Sequence, residues 1–228
     1  MEMHFSDSRT TPAGGTTIFA STDPTNFSSK YVPKLQLSPT DAWHTKTNLT
    51  NARFGIDAPF GGDDAGNPRR TLKLSIEDAE LVARLRSIED RVVKMATERS
   101  EELWGAALSE PVVREKLKSV LKDDGGTATL ITTKIDLTKT QVFSVKNVAA
   151  PDGESAGSLD LEHVENALEV VKPGVDCIAN VKLRRVWKSS IGFGIALDLT
   201  ELAVWAHEDP ELGFNFGGAE VTILPREW

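Results

Sequence analysis

VKLRRVWKSSIGFGIALDL, residues 181–199, is written with a period of two. Val181 and Leu183 fall on one face. After the polar turn at Lys188–Ser190, Ile191, Phe193, Ile195 and Leu197 share a face, and Gly192, Gly194, Ala196 and Asp198 share the other. Such alternation marks two half-buried strands, and the short turn joins them as a hairpin. The parity reaches back through Val175, Cys177 and Ala179, so the first strand is long. Lys182, Arg184 and Lys188 lie opposite the apolar face, beside the small residues. Arg185, Trp187 and Phe193 fall on the core parity. A β-bulge at Arg184-Arg185 turns Arg185 and Trp187 outward; without one, Trp187 caps the core.

Charge changes sign at this hairpin. The chain of 228 residues has a net charge of −8. From Lys172 to Ile191 there are five Lys/Arg (Lys172, Lys182, Arg184, Arg185, Lys188) against Asp176 alone. From Gly192 to the end there are seven acids (Asp198, Glu201, Glu208, Asp209, Glu211, Glu220, Glu227) against Arg226. The overall acidity argues against a simple cationic nucleic-acid binder, whereas the local cluster is the footprint of polyanion contact. Cations beside Gly192, Gly194 and Ala196 describe a shallow groove in which a sugar-phosphate backbone approaches main chain. An outward Trp187 would stack a base, worth about 1–3 kcal/mol whatever the sequence. The alternative is a solvated cationic face paired with neighbouring acids.

Outward from the hairpin, residues 1–68 are rich in Ser, Thr, Pro, Gly and Asn and show no steady period; acids and bases balance as far as Arg70. This reads as a long irregular N-terminal arm with short extended pieces such as "KLQL", packed on its own domain or on a partner, because Phe5, Phe27, Tyr31, Trp43, Phe54 and Phe60 are too many aromatics for a disordered linker. The expected domain is 69–228. "RTLKLSI" is a short strand. Ser75 then caps a helix with Leu81, Leu85, Ile88, Val92 and Met95 on its buried face, running to about Trp104. Ser109 caps a second helix through Val113, Leu117, Val120 and Leu121. Together they form a helical hairpin inserted at about 75–122. "TATLITTKIDL" and "QVFSVKNV" predict a β-hairpin, and "LDLEHVENALEVV" predicts a helix stopped by "KPG". The class is α+β, around a β-barrel or strongly bent sheet.

No catalytic constellation emerges, and the chain reads as non-enzymatic. His4, His44, His163 and His207 are scattered. Cys177 lies on an apolar strand face and reads as packing. "GGDDAG" and "DDGG" read as turns rather than metal sites. Neither metal nor cofactor is expected. A lone cysteine excludes an intrachain disulfide and points to a reducing, intracellular compartment. No apolar run reaches the roughly 18–20 residues of a membrane span, and the N-terminus lacks the pattern of a secretory signal.

"KPGVDCIANVKLRRVWKSSIGFGIALDLTELAVW" resembles the last strands of virus-type single-stranded DNA-binding proteins with an OB-fold, found in phages and large eukaryotic DNA viruses. The segment from Arg70 to Lys146, with its helical insertion containing "ELW" and its "TKI" strand, is similar too. The resemblance implies an OB-like five-stranded barrel that coats single-stranded DNA without reading sequence, in replication, recombination or repair. It implies Lys182, Arg184, Arg185, Trp187, Lys188 and Phe193 as nucleic-acid-binding positions, with Lys134 a weaker match. Single-stranded DNA is the implied partner, RNA and homo-oligomers staying open, with replication proteins as further partners. The long acidic C-terminal tail of many phage members has no counterpart in "ILPREW". A second reading, a structural or assembly subunit binding protein partners through the arm and the acidic C-terminal third, fits the charge as well.

Overall fold

In a computed structural model of the chain, the described residues are 2–12, 14–37, 50–57, 67–123, 128–147, 159–205, 215–216 and 219–220. The strands in chain order are β1 (His4–Phe5), β2 (Arg9–Thr10), β3 (Thr16–Ser21), β4 (Lys34–Gln36), β5 (Thr50–Ile56), β6 (Arg69–Ile76), β7 (Leu121–Asp123), β8 (Thr129–Asp136), β9 (Gln141–Asn147), β10 (Leu159–His163), β11 (Val175–Ser189), β12 (Gly192–Trp205) and a separate short pair, β13 (Asn215–Phe216) with β14 (Ala219–Glu220). The helices are α1 (Ala79–Glu98), α2 (Ser100–Trp104), α3 (Glu110–Lys116) and the single turn α4 (Ala167–Val170). The architecture is α+β.

The long hairpin is the spine. β11 and β12 pair antiparallel along nearly their whole length, from Cys177↔Val204 to Ser189↔Gly192. The free edge of β11 takes β5 at Val175–Cys177, β4 at Asn180–Lys182 and β3 at Arg185–Lys188. The other edge of β12 takes β8, parallel, at Asp198, then β9, parallel, from Glu201. Since β5 pairs β6 and β6 pairs β8, five strands close a ring in the order β11-β5-β6-β8-β12. Closure removes sheet edges that would otherwise carry unpaired backbone groups. Inside it lie Leu72, Leu74, Ile131, Ile135, Val181, Leu183, Ile195 and Leu197, each at most 3% exposed. Thr133, also buried, satisfies its hydroxyl by donating to the Leu72 carbonyl at 2.9 Å.

α1 to α3 are inserted between β6 and β8. Asp78 starts α1, its carboxylate accepting from the backbone N–H of Glu80 and Leu81. Leu81, Leu85, Ile88, Val92 and Met95 are buried at the expected spacing. The cap is therefore Asp78 and not Ser75, which is buried in β6, because β6 runs on to Ile76 in register with β8. α2 ends at Gly105, whose left-handed φ of 75° suits a residue without Cβ.

Four further expectations are corrected. The segment before Arg69 carries more than short extended pieces such as "KLQL", where β4 lies: it supplies β1 to β5, and β5 belongs to the ring. Its short strands escape a periodicity search because each is defined by its partner. "TATLITTKIDL" and "QVFSVKNV" are strands but not a hairpin, since β8 and β9 follow one another along the same edge of β12. "LDLEH" is strand β10 paired to β9, leaving only Ala167–Val170 helical. The second helix stops at Lys116; Val120 lies at a bend and Leu121 begins β7. "GGDDAG" lies outside the described residues, and so does all of "DDGG" after Asp123.

Candidate functional site

The register of β11 against β12 slips between Leu183 and Arg185: Leu183 faces Leu197 and Arg185 faces Ala196. Arg184 is thus the extra residue of a bulge, and the in-out alternation inverts beyond it. Val186 goes into the core, Arg184 and Arg185 are exposed, and Trp187 is half-buried on the outer face. Paired residues share a side of a sheet, so this face can be followed across strands. Arg9, Thr17, Trp187 and Gly194 form one row. Phe19, Arg185 and Ala196 form the next. Lys34, Lys182, Asp198, Lys134 and Thr71 form a third.

The face therefore gathers Lys134, Lys182, Arg184, Arg185 and Trp187; parity alone put Lys182 and Arg184 on it and left Arg185 and Trp187 to the bulge. Two expected residues are not there. Phe193 is 1% exposed and sits edge-to-face against Trp104 at 5.5 Å, so it offers no ring face to a base. Lys188 pairs with Phe193 on the opposite side, because the bulge reverses its parity. The expected groove over the glycines is also absent. The segment Lys116–Lys122, here called the strap, crosses them: Lys118 N–H donates to the Phe193 carbonyl at 2.7 Å. A Cβ on Gly192 would lie 2.6 Å from the Lys116 carbonyl oxygen, and one on Gly194 2.7 Å from that of Lys118 and 3.1 Å from the Trp187 ring. The small residues make room for the protein's own backbone and indole.

Beside the covered glycines a cleft of about 650 Å³ remains open. The strap forms one wall, bringing Lys118 and Lys122; β8 brings Thr132 and Lys134; β11 and β12 bring Arg185, Trp187, Ile195, Ala196, Leu197 and Asp198. Its floor is apolar and its rim cationic. Asp198 is held 3.5 Å from the Arg184 guanidinium, and Lys134 donates to the Thr71 hydroxyl at 3.1 Å. The Arg184–Asp198 pair is partly exposed and worth about 0–1 kcal/mol, so its main effect is to mask the carboxylate on an otherwise positive rim. The strap is held by Glu89 of α1, a buried carboxylate that accepts from the Ser119 hydroxyl at 2.8 and 2.9 Å and from the Val120 N–H at 2.9 Å. Chemically, such a cleft has room for a planar, partly apolar group, with Lys118, Lys122, Lys134 and Arg185 at hand for an anion.

Structures similar to this chain are phage single-stranded DNA-binding proteins. The single-stranded DNA-binding protein from bacteriophage Enc34, in complex with ssDNA, matches with a TM-score of 0.43 and 13% identity over 90% of this chain and 93% of that one. Another structure of the Enc34 protein matches with a TM-score of 0.42 and 11% identity, over 95% and 96% of the two chains. For gp2.5 of bacteriophage T7 the TM-score is 0.42 and the identity 14%, over 69% of this chain and 88% of the other. No protein-family model and no curated protein matches the chain.

The sequence reading missed Arg9, Phe19, Lys34, Lys118 and Lys122, which join the face from β2, β3, β4 and the strap. Arg9 lies 5.6 Å from the centroid of the Phe19 ring, a cation–π contact that fixes the ring beside Arg185. No local signal separates these residues from other surface positions. Cys177 is fully buried, and burial pushes its thiol well above the ordinary range, with the neighbouring Asp176 adding to the shift. Among the described residues no group of three His, Cys, Asp or Glu is placed to hold a metal ion. No helix there is long and apolar enough to cross a membrane.

Proposed function

We propose that the chain is a non-enzymatic single-stranded DNA-binding protein on an OB-like barrel, coating exposed strands in replication, recombination or repair. One observation carries this: a bulge at Arg184 puts Arg185 and Trp187 on the same outer face as Lys182, Lys134 and Lys34, around a cleft of about 650 Å³. Lys182, Arg184, Arg185, Lys134, Lys118 and Lys122 contact phosphates, and Trp187 stacks a base at the cleft mouth. Such contacts carry affinity without sequence readout, since every base has a π-face and every nucleotide a phosphate.

The test is fluorescence anisotropy of labelled oligo-dT across a salt series. Binding at low salt is expected, with log affinity falling against log salt by about 0.7 per phosphate neutralised. Lys182→Ala is expected to flatten that slope by about one contact. Absence of binding to oligo-dT at low salt refutes the reading, and tighter binding of oligo-rU reassigns the ligand to RNA.

A further inference from the structure

The face continues past the cleft to another aromatic, this one exposed. Thr132 lines the cleft and is paired across β8 and β6 with Lys73. The Lys73 ammonium stands 5.3 Å from the centroid of the Phe54 ring, and a salt bridge of 3.4 Å ties it to Asp57. Phe54 is 50% exposed.

Its display is built into the fold. On β5, Ala52 pairs with Leu74 and Ile56 with Leu72, so Arg53, Phe54 and Gly55 stand opposite the single residue Lys73. A bulge of this kind re-aims side chains away from the sheet. Gly55 makes it possible, with φ of 67°; a Cβ there would lie 3.1 Å from the Val171 carbonyl oxygen and 3.2 Å from the Pro173 ring. The bulge is thus packed against the segment entering β11, and one face of the phenyl ring is engaged by Lys73. That arrangement repeats the Arg9–Phe19 pair on the other flank of Trp187.

We propose that Phe54 is a second base-stacking station, with Lys73 at its phosphate, for a strand of DNA that leaves the Trp187 cleft over Thr132. The inference rests on the cleft being the DNA site. It extends the footprint from β11 to β5 and makes affinity depend on strand length.

The experiment measures affinity of the full-length protein, its Phe54→Ala variant and its Trp187→Ala variant for oligo-dT from about 4 to about 16 nucleotides, the span of one OB fold. For the unsubstituted protein, affinity is expected to rise once a strand reaches both stations. Phe54→Ala should weaken binding by about 5- to 150-fold on the longer strands only, the equivalent of one lost stack. Trp187→Ala should weaken all lengths. Phe54→Leu should behave as Phe54→Ala; recovery of affinity by leucine would mean packing rather than stacking, and would overturn the proposal. So would an unchanged length dependence in Phe54→Ala, or an equal loss at every length. If Trp187→Ala has no effect while Phe54→Ala does, the cleft reading fails and the two-station proposal falls with it, leaving Phe54 as a DNA contact in its own right. If nothing binds, both fall.

Discussion

Trp187 and Phe193 are both aromatic, close in sequence and on the same formal parity, yet one faces outward and the other is core. Trp187→Ala is expected to weaken single-strand binding by about 5- to 150-fold, one stacking contact, with the urea midpoint nearly unchanged. Phe193→Ala should instead destabilise the fold by about 3–5 kcal/mol, measured by urea unfolding, because it empties a buried site against Trp104. Gly194→Ala should also be destabilising, by about 1–3 kcal/mol, since the new methyl meets the Lys118 carbonyl at 2.7 Å. Cys177 gives a third contrast. Its thiol is raised by burial, so folded protein should resist thiol reagents and label only on unfolding. The sign of the linkage follows: stability is full below the ordinary thiol range near about 8.5 and falls as pH rises above it. Lys182, Arg184 and Arg185 were legible because charge clusters are read directly from sequence. The position of Lys188 was not, because one inserted residue reverses every side chain after it.

At the scale of elements, the strap connects the helical insertion to the cleft. Glu89 is the link, its two carboxylate oxygens sharing the Ser119 hydroxyl proton and one of them also accepting from the Val120 N–H. Glu89→Ala should reduce stability by about 1–3 kcal/mol, because the Val120 N–H loses its partner in a buried setting. Hydrogen exchange should localise lost protection to residues 117–122, and affinity for single strands should drop with it; Glu89→Gln, which keeps an acceptor, should recover part of both. The helix α1 was legible from its spacing of Leu81, Leu85, Ile88 and Val92, a local pattern. The strap was not. Val120 and Leu121 continue a helical spacing in sequence, but Leu121–Asp123 pair with Thr129–Ile131 as a strand, and the Val120 carbonyl accepts from the Thr132 N–H. "LDLEH" likewise carries helix-compatible residues, and pairing with Phe143–Asn147 makes it a strand. Hydrogen bonds to a neighbour outweigh propensities of a few tenths of a kcal/mol per residue.

For the whole molecule, charge is segregated. The net charge is −8, yet the outer face of β11 is cationic. At about 0.1 M salt the screening length is about 10 Å, so a bound strand senses the local cations more than the distant acids. Binding should therefore persist at moderate salt and decline by the slope of the contacted phosphates. The sequence by itself determined the α+β class, the long β11–β12 hairpin, the helix α1 and the cationic cluster, since each is a pattern of neighbours along the chain. Only the tertiary structure decided the closed ring with β5, the strap over Gly192 and Gly194, and the bulge that turns Trp187 to the outer face while Phe193 stays in the core. Those features depend on pairings between distant segments, such as Val175 with Ala52 and Phe193 with Leu117, and no local pattern records which strand a residue will meet.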